Sequence, residues 1–385
     1  MDDQGAAHLA LSSPGEEERT IGEIRTAGLR PALLEPGVVG ATGSADSRAV
    51  LPSCRQWLPD AVPASYPSIR SWAKRIADEI DRTLDRNLPW LLHVFPPPSS
   101  LPVENVGARA AHTARTTKGA HSPAVITGKA PPSRRSGPGP RRCELIRETV
   151  LELLGGRHRA WRASLRNDPS LGINTSFVQV LLTGQEHGWI SVSRAPQPHE
   201  MRRLMVPFSG GNLPVSIDKN APSRAFAKLV EAEMRFGRRI QPGELCVDLG
   251  ASPGGWTWVA RQRGARVVAV DRSPLREDLM NDPMVSFVRG DAFSYEPKRP
   301  VDWLVCDVIA APERSIELVL EWARRRWMRQ FVVTIKLRVG DHPKLDRLKT
   351  ELPAWSDDWY LTHLCANKHE ACVFGSVRDT DPITA

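Results

Sequence analysis

The segment DLGASPGGW, Asp248 to Trp256, has the composition of a turn that lets a ligand approach the backbone closely. It follows the apolar run ELCVDLG, and in an open α/β sheet ligands bind beyond the strand ends at such turns. It differs from the G-x-G-x-x-G of a pyrophosphate cradle, because Pro253, Gly254 and Gly255 follow Gly250. The segment therefore favours a cofactor that contains an adenosine but no phosphate.

Two carboxylates end the next two strand-like runs. Asp271 closes RVVAVD and Asp291 closes VSFVRGD, so both are expected at the same edge of the sheet. One could accept hydrogen bonds from ribose hydroxyls and the other from adenine N6–H. This pattern fits S-adenosylmethionine. The alternative is a glycine-rich turn with acidic residues that only aid solubility, and the placement on consecutive strand ends argues against it.

Four charged residues at distant positions have the types needed for proton chemistry. Lys228 lies on a helix, Asp307 and Lys336 end the fourth and fifth strands, and Glu370 opens the last. An ammonium in the apolar run FVVTIKL is costly to desolvate, so Lys336 is expected to pair with carboxylates or to have a depressed pKa. Taken singly, each residue has a structural explanation as a solvated, turn-forming or snorkelling group. The chemical interpretation therefore depends on the four lying together.

These residues belong to a region in which helical and strand-like patterns alternate. A helix over 222–237 precedes five apolar runs, and a longer helix over about 312–328 separates the last two. Continuous apolar strands between helices indicate a parallel sheet covered on both faces. The final runs, WYLTHLCA and EACVFGSV, lie three residues apart and must pair as an antiparallel hairpin. The predicted fold is therefore α/β, with the Rossmann-like sheet of class I methyltransferases and an antiparallel C-terminal hairpin.

The upstream half of the chain has weaker patterns. Residues 1–63 are rich in Ala, Pro, Gly and Ser, and they are predicted to be poorly structured. Residues 64–200 are predicted to form a small α+β module. Its elements are a helix capped by Ser68, a strand over Trp90–Phe95, a helix from about Glu144 and a hairpin of Phe177–Thr183 with Trp189–Ala195.

The formal net charge of +8 is concentrated inside this module. Residues 101–142 contain eight basic residues and one acidic residue, whereas the other 343 residues have 44 basic and 43 acidic groups. The segment has neither helical nor strand periodicity, so a flexible basic linker is expected. Such a linker is also compatible with an arm that grips a polyanion, because phosphate attraction needs charge and not structure.

Length and composition exclude several classes of protein. With 385 residues, 41% hydrophobic and 25% charged, the chain should form two or three globular domains. It contains no run of the roughly 20 apolar residues that a membrane span needs, and its six cysteines form no C-x-x-C pair. We therefore expect a cytoplasmic protein with reduced thiols, no metal site and no membrane partner.

Several segments occur in the order and spacing of one family. They are PSRAFAKLVEA (222–232), DLGASPGGWTW, WLVCDV, the lysine of VTIKL and HEACVF. In these segments the chain resembles the RrmJ/FtsJ-like 2'-O-ribose RNA methyltransferases, and it is most similar to the RlmM group, which methylates a cytidine ribose in 23S rRNA. The resemblance covers about residues 206–378 and leaves 379–385 as a tail. Residues 64–200 resemble a THUMP-type RNA-binding module.

The resemblance implies an S-adenosylmethionine-dependent methyltransferase whose partner is RNA, with no DNA partner expected. It implies a catalytic tetrad of Lys228, Asp307, Lys336 and Glu370. It also implies a cofactor site formed by Ser252, Pro253, Gly254, Gly255, Asp271, Asp291 and Asp307. In this interpretation Lys336 is the general base, Lys228 orients the ribose hydroxyl, and the reaction needs no metal ion.

Three other functions stay open at this stage. The same chemistry could act on a tRNA or an mRNA cap. A non-catalytic RNA-binding protein could retain the methyltransferase fold, although the intact tetrad argues against that. A nicotinamide-dependent oxidoreductase is opposed by the missing G-x-G-x-x-G.

Overall fold

The computed structural model organises the chain around two seven-stranded sheets. It describes residues 7–13, 15–43, 50–98, 139–166, 172–213, 215, 218–338, 340–366 and 370–379. Residues 7–193 contribute the first sheet and residues 245–376 the second. Within these ranges, every helix is either too short or too polar to cross a bilayer. All six cysteines are free thiols, and five of them are buried.

The first sheet combines antiparallel strands with one parallel pair. Its strands are β1 (Ala7–Ser12), β2 (Arg30–Glu35), β3 (Val38–Thr42), β4 (Cys54–Ser65), β5 (Trp90–Phe95), β6 (Ser176–Leu182) and β7 (His187–Ser193). Their spatial order is β2-β3-β1-β4-β7-β6-β5, and only β5 and β6 are parallel. The helices of this half are α1 (Glu17–Thr26), α2 (Ile69–Thr83), α3 (Pro140–Arg157), α4 (Ala160–Ser164) and α5 (His199–Leu204).

The prediction of poor structure before residue 64 is wrong for the residues that the structure describes there, which are 7–13, 15–43 and 50–63. Strand β1 lies inside the first sheet, between β3 and β4, and its residues Leu9 and Leu11 are completely buried. Strand β4 crosses the predicted boundary at residue 64 and pairs with β7, so the two predicted regions share one sheet. The sequence signal is weak because β4 contains Pro59 and Pro63, and because Gly40 interrupts the short strand β3.

Most predicted elements of the module are confirmed. The Ser68 hydroxyl accepts a hydrogen bond from the Ser71 N–H at 3.1 Å and caps α2, and β6 pairs with β7 as an antiparallel hairpin. Helix α3 begins at Pro140 and not near Glu144, because proline suits the first helical turn. Arg141 and Arg142, predicted to be part of the flexible basic segment, are therefore helical. Residues 99–138 lie outside the described residues, and the identification as a THUMP-type module stays a prediction.

The second sheet has the α/β layout predicted from the sequence. Its strands are β8 (Leu245–Leu249), β9 (Arg266–Asp271), β10 (Val285–Arg289), β11 (Val301–Cys306), β12 (Met328–Lys336), β13 (Asp358–Thr362) and β14 (Glu370–Ser376). Its helices are α6 (Phe226–Phe236), α7 (Gly255–Gln262), α8 (Glu277–Met280), α9 (Pro312–Arg324) and α10 (Asp346–Glu351). The spatial order is β10-β9-β8-β11-β12-β14-β13.

The direction of β14 decides which residues meet at the edge of this sheet. Strands β8 to β12 are mutually parallel, whereas β14 is antiparallel to both β12 and β13, as the predicted terminal hairpin requires. The first residue of β14 therefore lies beside the last residue of β12, in the pair Lys336 and Glu370. Apolar side chains pack on both faces of the sheet, so polar groups concentrate at the strand ends.

We expect Leu9→Ala to lower the free energy of unfolding by about 2–5 kcal/mol, because it leaves a cavity at a completely buried position in β1. Leu33→Ala in the edge strand β2 is the matched control. Its side chain is 55% exposed, so its removal should cost under about 1 kcal/mol. Denaturant titration of both variants measures the difference. Equal, small changes would place β1 outside the folded core.

Candidate functional site

The four residues of the predicted tetrad lie together at the carboxyl edge of the second sheet. Lys228 comes from the first turns of α6, Asp307 directly follows β11, Lys336 ends β12 and Glu370 begins β14. The Lys228 Nζ lies 3.0 Å from Asp307 Oδ2 and 2.7 Å from Glu370 Oε2. The Lys336 Nζ lies 2.6 Å from Asp307 Oδ1 and 2.9 Å from Glu370 Oε2. Each ammonium thus contacts both carboxylates.

The environment of Asp307 and Lys228 favours their ionised forms. Burial raises the pKa of Asp307, but the Lys228 and Lys336 ammonium groups outweigh it and hold that pKa below its usual value. Burial lowers the pKa of Lys228, but Asp307 and Glu370 outweigh it and raise that pKa above its usual value. Lys228 therefore stays protonated at neutral pH. Of the two expected outcomes for Lys336, the structure shows pairing with carboxylates.

One member of this cluster is absent from the sequence prediction. The Thr334 hydroxyl donates a hydrogen bond to Asp307 Oδ1 at 2.6 Å. Thr334 is two residues before Lys336, and alternate residues of a strand lie on the same face. The sequence could therefore have predicted that Thr334 lies on the same side of β12 as Lys336. The hydroxyl supplies Asp307 with a neutral donor beside its two charged partners.

The predicted glycine turn, residues 250–255, packs tightly between β8 and α7. Gly250 has φ +75°, and a Cβ there would collide with Val308, the residue after Asp307. Gly254 has φ +112°, and a Cβ there would collide with the Leu279 side chain. Both positions need a residue without a Cβ and with free access to positive φ. The turn consequently lies against the segment that carries Asp307.

Asp271 ties this turn to the end of β9. Its Oδ2 accepts a hydrogen bond from the Ser252 N–H at 3.0 Å, and its Oδ1 accepts one from the Ser273 N–H at 2.8 Å. The Pro253 carbonyl accepts a hydrogen bond from the Arg276 N–H, and Gly255 begins α7. The predicted turn residues and Asp271 therefore form one cluster, and carboxylate oxygens can accept further donors such as ribose hydroxyls.

Asp291 occupies the predicted position after β10 but already has partners. Its Oδ1 accepts a hydrogen bond from the Phe293 N–H at 2.9 Å, and its Oδ2 accepts one from Arg272 Nη2 at 2.7 Å. The Phe293 N–H and the Arg272 guanidinium hold the pKa of Asp291 below its usual value. Asp291 is therefore an ionised hydrogen-bond acceptor that contacts Arg272, the residue after Asp271.

The first carboxylate of the turn segment, Asp248, has a structural position. It is buried, and its Oδ2 accepts a hydrogen bond from the Thr257 hydroxyl at 2.7 Å. Burial raises the pKa of Asp248 to about 7, although the bonds from Thr257 oppose that rise. Asp248 links the end of β8 to α7 and lies inside the core, while Asp271 and Asp291 are more exposed.

Residues 221–341 match the family model described as FtsJ-like methyltransferase. These residues are similar to an FtsJ-like methyltransferase domain, and they make up about a third of the chain. The match includes Lys228, Asp307 and Lys336, together with the glycine turn and both predicted cofactor carboxylates, whereas Glu370 lies beyond it. The strand order of the second sheet agrees with this assignment, since it has the mostly parallel layout of class I methyltransferases.

Curated relatives of the FtsJ-like domain carry the name "Ribosomal RNA large subunit methyltransferase M". The protein from Halorhodospira halophila is 48% identical over 157 residues, which cover 40% of this chain and 41% of the relative. The protein from Cellvibrio japonicus is 45% identical over 127 residues, which cover 31% and 36%. The chain therefore spans about two fifths of the length of these relatives.

The solved structures similar to this chain resemble it only weakly. The 23S rRNA methyltransferase ErmE is 17% identical with a TM-score of 0.33, and the likeness covers 43% of this chain and 72% of that structure. A similarity of that size carries no conclusion about substrate. The fold assignment depends on the strand order and on the family match.

We expect Asp271→Ala to weaken binding of S-adenosylmethionine at least about tenfold, because each hydrogen bond to a charged group contributes about 1.5–3 kcal/mol. Gly254→Ala should also weaken binding, because the new Cβ would displace the turn from Leu279. Gly290→Ala is the matched control, since a Cβ there meets no atom within 4 Å. Calorimetry measures the three affinities. Wild-type affinity in a folded Asp271→Ala protein would contradict the assignment.

Proposed function

We propose that this protein is an S-adenosylmethionine-dependent RNA 2'-O-ribose methyltransferase that modifies a cytidine in 23S rRNA. The observation that carries the proposal is the closed set of contacts among Lys228, Asp307, Lys336 and Glu370 beside the glycine turn of an FtsJ-like domain. The names of the relatives support ribosomal RNA as the substrate.

The residues at the strand ends suit the proposed cofactor. Gly250 and Gly254 let the turn pack against Val308 and Leu279 at positive φ, and Asp271 at the edge of that turn has the acceptor oxygens that ribose hydroxyls need. In the proposal, residues 252–255 with Asp271, Asp291 and Asp307 hold S-adenosylmethionine, which supplies an electrophilic methyl group when bound. The spacing of these glycines differs from the pyrophosphate cradle of a nicotinamide enzyme.

In the proposed reaction, Lys336 removes the proton of the ribose 2'-hydroxyl. A ribose hydroxyl is a weak nucleophile at neutral pH, so it needs an adjacent base and correct alignment. The side chain of Lys336 is 19% exposed and that of Lys228 is 11% exposed, so the former is more accessible to a substrate. Lys228 has the raised pKa of a permanent ammonium, which suits it for orienting the hydroxyl oxygen and not for accepting its proton.

The two carboxylates have a separate task in this mechanism. Asp307 and Glu370 each contact both amines, so they hold the two Nζ atoms in register and balance their charge. The Lys336 ammonium first releases its proton to solvent from the exposed part of the side chain. The neutral amine then accepts the hydroxyl proton, which restores the ammonium between two carboxylates that stabilise its charge.

The competing substrates and functions are separated by one experiment in cells. Ribose methylation should be mapped across ribosomal RNA and transfer RNA in a strain that lacks the gene, and again after complementation with the wild-type gene. We expect one 23S cytidine to lose and regain its methyl group. Loss of methylation at a transfer RNA site would show that transfer RNA, and not 23S rRNA, is the substrate. Unchanged methylation in every RNA would favour a non-catalytic RNA-binding protein.

We expect Lys336→Met to reduce methyl transfer to 23S rRNA by about 100- to 10,000-fold, the usual contribution of a general base. Methionine keeps the apolar stem, so folding and the binding of cofactor and RNA should persist. Transfer of labelled methyl groups under single-turnover conditions measures the chemical step. Lys349→Met is the control, because Lys349 on α10 pairs with Asp346, away from the tetrad. A near wild-type rate for Lys336→Met would remove this residue from the mechanism.

We also expect deletion of residues 101–138 to weaken RNA binding and to flatten its salt dependence. The segment has six basic residues and one acidic residue. For every phosphate that the protein no longer neutralises, the slope of log K against log salt should become shallower by about 0.7–0.9. The deletion ends before Pro140 and so keeps α3 intact.

A full-length variant with those six basic residues changed to Gln separates the effect of charge from the effect of length. It should reproduce the shallower slope of the deletion, because it removes the same positive charge and keeps the chain between β5 and α3. If the slope of log K against log salt were unchanged in both variants, the segment would act only as a spacer and would not bind RNA.

A further inference from the structure

A second set of buried charges lies on α6 next to the tetrad and has no part in the mechanism above. Glu231 and Arg235 are both buried, and Arg235 Nη2 lies 2.9 Å from Glu231 Oε1. A buried ion pair is costly to desolvate and is often replaceable by apolar residues without loss of stability. Its presence here therefore calls for a role that apolar side chains could not fill.

The Glu231 carboxylate holds the backbone that leads into β14. Its Oε1 accepts a hydrogen bond from the Cys365 N–H at 2.8 Å, and its Oε2 accepts one from the Ala366 N–H at 3.1 Å. Those two residues follow β13 and precede Glu370 by only a few positions. Glu370 itself contacts Lys228, one helical turn before Glu231. Helix α6 therefore contacts the backbone shortly after β13 and the first residue of β14.

Arg235 extends the same set of contacts to the segment that joins the two sheets, residues 205–211. Its Nη2 lies 3.5 Å from the Gly211 carbonyl oxygen and 3.8 Å from Cys365 Sγ. Gly211 has φ +71°, and a Cβ there would collide with the Arg55 carbonyl of β4. Gly211 is thus packed between the first sheet and Arg235.

The other end of this joining segment is attached to the first sheet. The Val206 N–H donates a hydrogen bond to Gln56 Oε1 at 2.6 Å, and Gln56 Nε2 donates one to the Val206 carbonyl at 3.0 Å. Gln56 Nε2 also donates to Gln179 Oε1, and both amides are buried. The segment therefore contacts β4 directly at Val206, β6 indirectly through Gln56, and α6 at Gly211.

From these contacts we infer that Glu231 and Arg235 are positioning residues that fix Glu370 in the tetrad and couple it to the segment joining the two sheets. The inference rests on the proposed function, because it assigns the pair a role in that reaction. Neither residue touches the tetrad directly. Glu231 acts through the Cys365 and Ala366 amides, and Arg235 orients Glu231 while it contacts Gly211.

The test compares Glu231→Gln with Glu233→Gln on the same helix. Glu233 is also buried, pairs with Arg263 at 3.1 Å and accepts a hydrogen bond from the Ile240 N–H, yet it contacts neither residues 365–366 nor 205–211. We expect Glu231→Gln to lower kcat about 10- to 100-fold, with the KM for RNA and the affinity for S-adenosylmethionine within about twofold of wild type. Glu233→Gln should leave kcat within about twofold, even where its loss of thermal stability is similar.

Amide hydrogen exchange provides a second measurement that does not depend on methyl transfer. Hydrogen exchange at the Cys365 and Ala366 amides should accelerate in Glu231→Gln and stay as in wild type in Glu233→Gln. Arg235→Lys should retain more kcat than Arg235→Met, because it keeps the charge beside Glu231. Equal losses of kcat in the two glutamine variants, or unchanged amide exchange in Glu231→Gln, would overturn the inference. A wild-type protein without methyl transfer would refute the proposed function, and amide exchange would still decide the positioning role.

Discussion

The partial burial of four charged groups at one edge of the second sheet is the constraint on which the rest of the structure depends. Buried charges are tolerated when opposite charges and hydrogen-bond donors surround them. Lys228 and Lys336 therefore each contact both Asp307 and Glu370. Those contacts are possible only where α6, β11, β12 and β14 converge. The antiparallel insertion of β14 beside β12 is what brings the last carboxylate to this edge.

Close packing of the glycine turn connects this charged group with the proposed cofactor site. Gly250 lies against Val308, so any side chain at that position would push on the segment that begins with Asp307. Asp271 accepts a hydrogen bond from the Ser252 N–H and so fixes the other side of the turn. The same backbone turn therefore limits where Asp307 can lie and borders the proposed cofactor site. Residues without a Cβ are needed at Gly250 and Gly254 because Val308 and Leu279 occupy the space that a Cβ would fill.

The sequence predicts the second sheet and the grouping of Lys228, Asp307, Lys336 and Glu370 well because their signals are local. Apolar runs, helical spacing and a short final connection determine the topology, and that topology brings the strand-end charges together. The connection is longer than the predicted three residues, because β13 ends at Thr362 and not at Ala366. The strands before residue 64 are different, because β1 pairs with β4, about 45 residues further along the chain, and β4 contains two prolines. Glu231 and Arg235 were missed for a related reason. On a helix they resemble solvated charges, and their burial depends on partners at Gly211, Cys365 and Ala366.

Helix α6 shows how the two sets of buried charges form one arrangement. Lys228, Glu231 and Arg235 are spaced by three and four residues, so they share one face of the helix, which in most helices of globular proteins is apolar. Their signs alternate along that face, and each has a partner outside the helix. Lys228 contacts Glu370 at the start of β14, and Glu231 contacts the backbone just after β13. Apolar side chains could cover the same surface, but they could not hold a carboxylate and two backbone amides at defined positions. On this face of α6, charged residues take the place of apolar packing, and in the inferred role they position Glu370.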